Sequence, residues 1–300
     1  MPKPILFQPV DSPYLVGFDD SFKIKKAPTR GDDDRGKAAN LEALGPLVEQ
    51  LNKIQGHLYA HDHFSVLLIF QALDAAGKDG TIRAILTGVN PVGCQVFAYK
   101  APNAEEIDHD FMWRCYQNLP ERGRIGVWNR SHYEETLVVR VHPEILEGQR
   151  VPYRPKDLDT LWQHRFESIN AFEKHWARNG CVVLKFFLNV SQEEQHERFL
   201  ARVSDPDNHW KFSSTDMTES KRWDDYQHAY QETLRATSKP WAPWYSIPAD
   251  AKPYMRRTIA DIIVKTVSQL DLPAPELPEK AKLELEAVKR ALEAELQDKK

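Results

Sequence analysis

One stretch constrains this chain more than any other. The uninterrupted apolar run over residues 66–70 leads into a turn of small residues and then into Ile82, Ile85, Leu86 and Val89 at helical spacing. A run that is apolar at every position, rather than at alternate ones, suits a strand buried on both faces. The order strand, tight loop, helix also turns the N–H groups of a helix start towards any anion held there. Further strand candidates lie at residues 95–99, 125–128 and 182–188, separated by helical stretches around 109–119 and 157–179. Strands alternating with helices predict a parallel sheet covered on both faces, with right-handed crossovers and ligands beyond the carboxyl ends of the strands.

Around that core the pattern divides the chain in three. Residues 1–60 read as an irregular arm followed by an amphipathic helix from about Lys37 to Tyr59, with Leu44, Leu47, Val48, Leu51, Ile54 and Leu58 at three- and four-residue spacings. Residues 61–270 form the core. Within it, residues 192–202 read as a helix capped by Ser191 with Glu194 completing a capping box, and the polar, turn-rich segment at about 203–225 as a mobile lid. A last core helix covers about 254–270. After the Pro-rich DLPAPELPEK, residues 271–300 form a helical tail whose stripe, Ala281, Leu285, Val288, Leu292 and Leu296, suits packing or self-association.

Composition excludes several classes. With 300 residues, 41% of them hydrophobic, the chain can bury a large core, and no stretch approaches the roughly 18 apolar residues of a membrane span. Together with a start that lacks a charged region followed by an apolar one, this points to the cytoplasm and to no membrane partner. The net charge of −4 argues against nucleic acid as a partner, so any polyanion needs a local basic site. Cys94, Cys115 and Cys181 form no CxxC and read as small buried residues.

The loop itself reads Ala72-Leu73-Asp74-Ala75-Ala76-Gly77-Lys78-Asp79-Gly80-Thr81. The backbone from Ala75 to Thr81 would cradle phosphates and Lys78 would reach their terminal oxygens. The spacing GxxxxGK[ST] is met imperfectly, since Ala72 replaces the first glycine and Asp79 the hydroxyl residue. A lysine at a helix start opposes the dipole unless an acceptor-rich ligand is present. Asp74 and Asp79 add hard oxygens suited to Mg²⁺, with Mn²⁺ as an alternative. A second cluster, Asn129-Arg130-Ser131-His132-Tyr133-Glu134-Glu135, follows the strand at 125–128. There Arg130 can fork onto a phosphate, while Ser131 and Glu134 predict a capped helix start. In the lid, Arg202 and Lys211 stand out among otherwise solvated charges, because phosphoryl transfer is catalysed mainly by positioning and charge stabilisation.

The blocks QALDAAGKDGTIRAILTGVNPVGCQVFAYKAP, HDFMWRCYQNLPERGRIGVWNRSHYEETLVVRVHP, ARVSDPDNHWKFSSTD and PWYSIPADAKPYMRR resemble the polyphosphate kinase 2 family in order over roughly residues 70–260. The resemblance implies a three-layer α/β/α P-loop kinase fold related to thymidylate kinase, with a parallel central sheet and a helical lid. It also implies Mg²⁺-dependent phosphoryl transfer between inorganic polyphosphate and adenine nucleotides, by a homo-oligomer, dimer or tetramer. By position, Asp74 and Lys78 match the family's phosphate-loop residues, Arg130 its second motif, and Arg202 and Lys211 its lid. The NRSHYEE form resembles the branch that accepts both AMP and ADP. Other branches usually carry aspartate where this chain has Asn129, so Glu134, Glu135 or water would complete the metal's shell. Asn208 stands where related lids often carry lysine.

Other features are weighed lower. His61-Asp62-His63 lacks the spacing of a closed metal site, and His132 reads as a local hydrogen-bonding residue, because an ionised phosphate acceptor needs no base. Trp210 and Trp223 read as packing before adenine stacking, and Lys100 as equally suited to polyphosphate, nucleotide or solvent. Two alternatives stay open: an ATP-dependent nucleoside monophosphate kinase on the same fold, and a non-catalytic polyphosphate or nucleotide sensor.

Overall fold

The protein is described by a computed structural model covering residues 6–211, 214–273 and 278–297, with backbone alone at 208, 210, 211 and 214. In chain order the elements are α1 (Lys37–His61), β1 (Ser65–Gln71), α2 (Lys78–Leu86), β2 (Cys94–Ala98), α3 (Ala104–Ile107), α4 (Trp113–Tyr116) and β3 (Ile125–Asn129). A 3₁₀ turn at His132–Glu135 precedes α5 (Val138–Val141), α6 (Leu158–Arg178), β4 (Cys181–Asn189), α7 (Gln192–Ser204) and α8 (Ser214–Ser220). The chain continues through α9 (Trp223–Thr237), β5 (Trp244–Pro248), α10 (Lys252–Val267) and α11 (Glu279–Gln297).

Five strands form one parallel sheet in the order β2-β3-β1-β4-β5. β1 is its centre, which is why its apolar run is unbroken: Val66, Leu68 and Phe70 enter a core with α1, α2 and α10, while Leu67 and Ile69 enter a second with α6 and α9. All five are fully buried, each stabilising the fold by about 2 kcal/mol. The result is the expected three-layer α/β/α arrangement. Phe70 pairs with Asn129 on one side and Phe186 on the other, so the parallel strands end within a few residues of one another and their following loops gather on one rim.

Several expectations are revised. The helix around 109–119 shrinks to α4, and a fifth strand, β5, lies where the sequence pattern assigned no element, ahead of the last core helix. The arm is not loose cover either. Leu15 bridges Tyr245 in antiparallel sense, flanked by Val16 N–H to Trp244 O at 2.9 Å and Ser246 N–H to Tyr14 O at 2.8 Å, which closes the open edge of β5. The helix of the N-terminal extension packs on the core, with Leu51 and Leu58 of α1 fully buried in the cluster shared with α10. No residue of α11 is buried. Among the described residues no helix is long and apolar enough to cross a membrane.

Candidate active site

The rim is organised by the loop leaving β1. Gly77 takes φ 108° and Ala75 φ 61°, both left-handed, so the chain reverses within a few residues and α2 starts at Lys78. No side chain caps α2, which leaves its first N–H groups available to an anion. Lys78 curls back so that Nζ donates to the carbonyl oxygens of Ala72 at 2.8 Å and Leu73 at 3.3 Å. Burial, helped by Arg130, lowers its ammonium to about 8 against the pull of Asp74, Glu134 and Asp79.

Beside this loop β3 delivers the second cluster. Arg130, also left-handed at φ 66°, places Nη2 2.7 Å from Asp74 Oδ1 and Nη1 3.5 Å from Glu134 Oε2. Asn129 donates its amide hydrogen to Asp79. Ser131 caps the following turn as expected, accepting from Tyr133 N at 3.2 Å, although the turn is 3₁₀ rather than α-helical. Burial raises the Glu134 carboxyl above its ordinary range, although Arg130 and Lys78 oppose it. Asp74, Lys78, Asp79, Asn129, Arg130 and Glu134 therefore share one linked constellation.

The remaining candidates fall elsewhere. Glu135, expected as a metal ligand, is buried on the far side of its turn, paired with Arg165 of α6 and accepting from Gln149 at 2.7 Å. Successive residues of a 3₁₀ turn diverge by about 120°, so only one of the two glutamates can face the loop. Arg202 bridges α7 to α8 through Asp216 at 2.8 Å instead of reaching the phosphate loop. The Lys211 side chain, with those of Asn208 and Trp210, lies outside the described residues. Lys100 is exposed just beyond β2, its carbonyl held by Arg114 at 2.8 Å. His132 is buried among Trp128, Tyr133 and Trp176, and burial lowers its basicity. His61 and His63 precede β1, at the opposite end of the strands from this rim.

Two residues of α7 escaped notice in the sequence. Gln195 Nε2 donates to Asp74 O at 3.0 Å. Arg198, buried, donates to Ala75 O at 3.1 Å, Ala76 O at 2.8 Å, Ala249 O at 2.7 Å and Asp250 O at 3.0 Å, and pairs with Glu194 at 2.7 Å. It ties the phosphate loop to the loop after β5. The only hint was an arginine one turn before Arg202 on a helix of otherwise ordinary surface character.

Two electrostatic environments flank the loop. On the β3 side a cavity of about 450 Å³ is walled by Asp74, Arg130, Glu134, Asp216 and Glu219, with Trp223, Tyr226 and Tyr230 as its aromatic side. On the β5 side lie Arg256, whose Nη2 comes within 3.0 Å of where a side chain at Gly80 would begin, Lys252 and Arg83. Burial, then neighbouring guanidinium groups, lowers the basicity of both Lys252 and Arg256.

The polyphosphate kinase 2 (PPK2) family profile matches residues 34–275. The chain belongs to this family. It is 45% identical over 280 residues to an ADP-polyphosphate phosphotransferase of Rhodopseudomonas palustris, covering 93% of this chain and 97% of the relative. It is 40% identical over 272 residues to an AMP/ADP-polyphosphate phosphotransferase of Meiothermus ruber, covering 89% and 96%. The crystal structure of polyphosphate kinase 2 from Arthrobacter aurescens superposes with a TM-score of 0.81 at 32% identity, over 91% of this chain and 95% of that one. The three-layer kinase fold implied by the resemblance is thus the fold of this chain and of the polyphosphate kinase 2 family.

A resident metal cage is a different matter. Among the described residues no three His, Cys, Asp or Glu side chains gather to hold a metal. Asp74 and Asp79 nevertheless fit Mg²⁺, which commonly takes one or two carboxylates and completes its shell with water and substrate phosphates.

Proposed function

We propose that this chain transfers the terminal phosphoryl group of inorganic polyphosphate to AMP and ADP, forming ADP and ATP. The observation that carries the reading is the convergence of Lys78, Arg130 and the uncapped start of α2 on one point, between a cationic flank and a carboxylate-rich, aromatic cavity. A long polyanion is favoured on the Arg83, Lys252 and Arg256 side. The largely neutral nucleoside suits the other, where carboxylates can accept from ribose hydroxyls and an exocyclic amine, and rings can stack the base.

In the transfer, an oxygen of the nucleotide's terminal phosphate forms a bond to the terminal phosphorus of polyphosphate. The bridging P–O bond breaks, and the polyphosphate leaves one unit shorter with the electron pair. The attacking oxygen is already ionised, so no side chain need remove a proton, consistent with the inaccessible His132. Lys78 and the N–H groups of α2 hold the phosphoryl group in line, and Arg130, released from Asp74, meets the charge on its equatorial oxygens. Asp74 and Asp79 would hold Mg²⁺, or Mn²⁺, which would supply further charge neutralisation between the two phosphates. Arg202 and Lys211 belong to the lid and would approach on closure.

We also assign the chain to the cytoplasm, acting without nucleic acid or membrane and as a homo-oligomer. Purified protein with Mg²⁺, polyphosphate and ADP should give a luciferase signal, and Lys78→Ala should lower turnover by about 10²–10³-fold while barely moving thermal unfolding. No ATP from ADP and no ADP from AMP would sink the reading. Transfer only from ATP to AMP would indicate a nucleoside monophosphate kinase, and binding without turnover a sensor.

A further inference from the structure

The turn that carries Glu134, just after Arg130, is held by a charged ring that the mechanism does not use. Lys185, in the middle of β4, and Glu173, on α6, are both fully buried, with Nζ 2.6 Å from Oε2. Lys185 also donates to Tyr133 OH at 2.8 Å and to the Thr237 carbonyl at 2.8 Å. Tyr133 OH donates to Glu173 Oε1 at 2.7 Å, which closes the ring. Four elements therefore meet at one ammonium: β4, α6, the His132–Glu135 turn and the end of α9, the helix whose Tyr226 and Tyr230 line the cavity.

Such a pair is a poor way to gain stability, because well-packed apolar residues of similar volume usually do as well or better. Lys185 faces inward between Val183 and Phe187 on a strand apolar at all its other positions from Cys181 to Leu188, a position where an aliphatic residue would serve the core. What the ring does supply is registry. It fixes Tyr133, and hence its neighbours in the turn, relative to α9, and the seam continues as Thr233 Oγ1 donates to Thr136 O at 3.2 Å. We propose that Lys185, Glu173 and Tyr133 are positioning residues that set the two walls of the nucleotide cavity against each other, leaving the polyphosphate flank unaffected.

The inference rests on the reading above for where the nucleotide sits, and its test separates the two by measuring ADP affinity as well as turnover. The double variant Lys185→Met/Glu173→Leu removes both charges and leaves neither unpaired. It should unfold within a few degrees of the unmodified chain, yet bind ADP at least about fivefold more weakly and turn over at least about tenfold more slowly, with the polyphosphate KM within about twofold. A double variant with ADP affinity and kcat within about twofold of the unmodified chain would overturn the proposal, as would a polyphosphate KM that rises as far as the ADP Kd. Should the double variant not fold, Tyr133→Phe decides: the same split, at about threefold in ADP Kd, is expected, and unmodified affinity and kcat overturn it. If the unmodified chain shows no turnover, the functional reading fails while the ADP affinities still decide this one.

Discussion

Arg198 lies 2.8 Å from the carbonyl oxygen of Ala76, so the phosphate loop is fastened by a guanidinium whose three nitrogens are all engaged by protein oxygens. The same side chain holds Ala249 and Asp250, which makes the geometry of the loop depend on the segment after β5. Arg198→Met should leave buried carbonyls and Glu194 without their donor, costing about 2–4 kcal/mol in urea unfolding. Turnover should fall by about 10²-fold, because displacing a positioning element by an ångström is enough. A variant with full turnover would show that the loop holds its shape unaided.

Asn129 donates to Asp79 where a carboxylate would repel it. Asn129→Asp should therefore lower thermal stability in chelator, and added Mg²⁺ should raise the variant's midpoint more than that of the unmodified chain. An equal response in the two proteins would remove Asp79 from the metal's shell.

His142, at the end of α5, links one wall of the cavity to α8. Its ring lies 2.9 Å from both Glu144 and Glu219, with Arg222 Nη1 at 3.2 Å, and Tyr226 OH donates to the same Glu219 oxygen at 2.6 Å. Burial lowers its basicity, but the two carboxylates outweigh burial and Arg222, and the net shift is upward. A folded value above the unfolded one means that the stabilisation is complete below the ordinary imidazole value and is lost as pH rises through the raised one. Hydrogen exchange in α8 should accelerate as pH rises above the ordinary imidazole value, beyond the intrinsic amide dependence. In His142→Gln that excess should vanish, and its persistence would place the clamp elsewhere.

None of the residues of α11 is buried, although Leu285, Val288, Leu292 and Leu296 line one side of it. A chain ending at residue 273 should keep its turnover and unfold within about 2 °C of the full chain. Sedimentation of both chains would show whether this helix carries the expected dimer or tetramer; a large loss of stability would mean that α11 packs on the core.

The legible parts of the sequence were those in which one interaction dominates. Burial on both faces wrote β1 as an unbroken apolar run, and helix periodicity marked α1, α6 and α10 within a few residues. β5 was hidden because Trp244, Tyr245, Ser246, Ile247 and Pro248 sit between prolines and turn residues, and only the tertiary pairing with β4 and the N-terminal arm makes them a strand. Residue spacing singled out Asp74, Lys78 and Arg130, which the structure brings together. It could not separate Glu134 from Glu135, since that depends on whether the turn is 3₁₀ or α-helical, nor reveal Arg198, whose partners are backbone carbonyls that carry no sequence signal.

Ala75 and Arg130 both adopt left-handed backbone at residues other than glycine. Such a conformation costs an L-residue about 1 kcal/mol. Under selection for heat resistance alone, both positions would drift towards glycine, and the two would then part company. At Ala75 only a methyl group would go, and a hardened enzyme would still work. At Arg130 the same drift would produce a sturdier protein with no chemistry, so the strain there is one that only a demand for turnover can maintain.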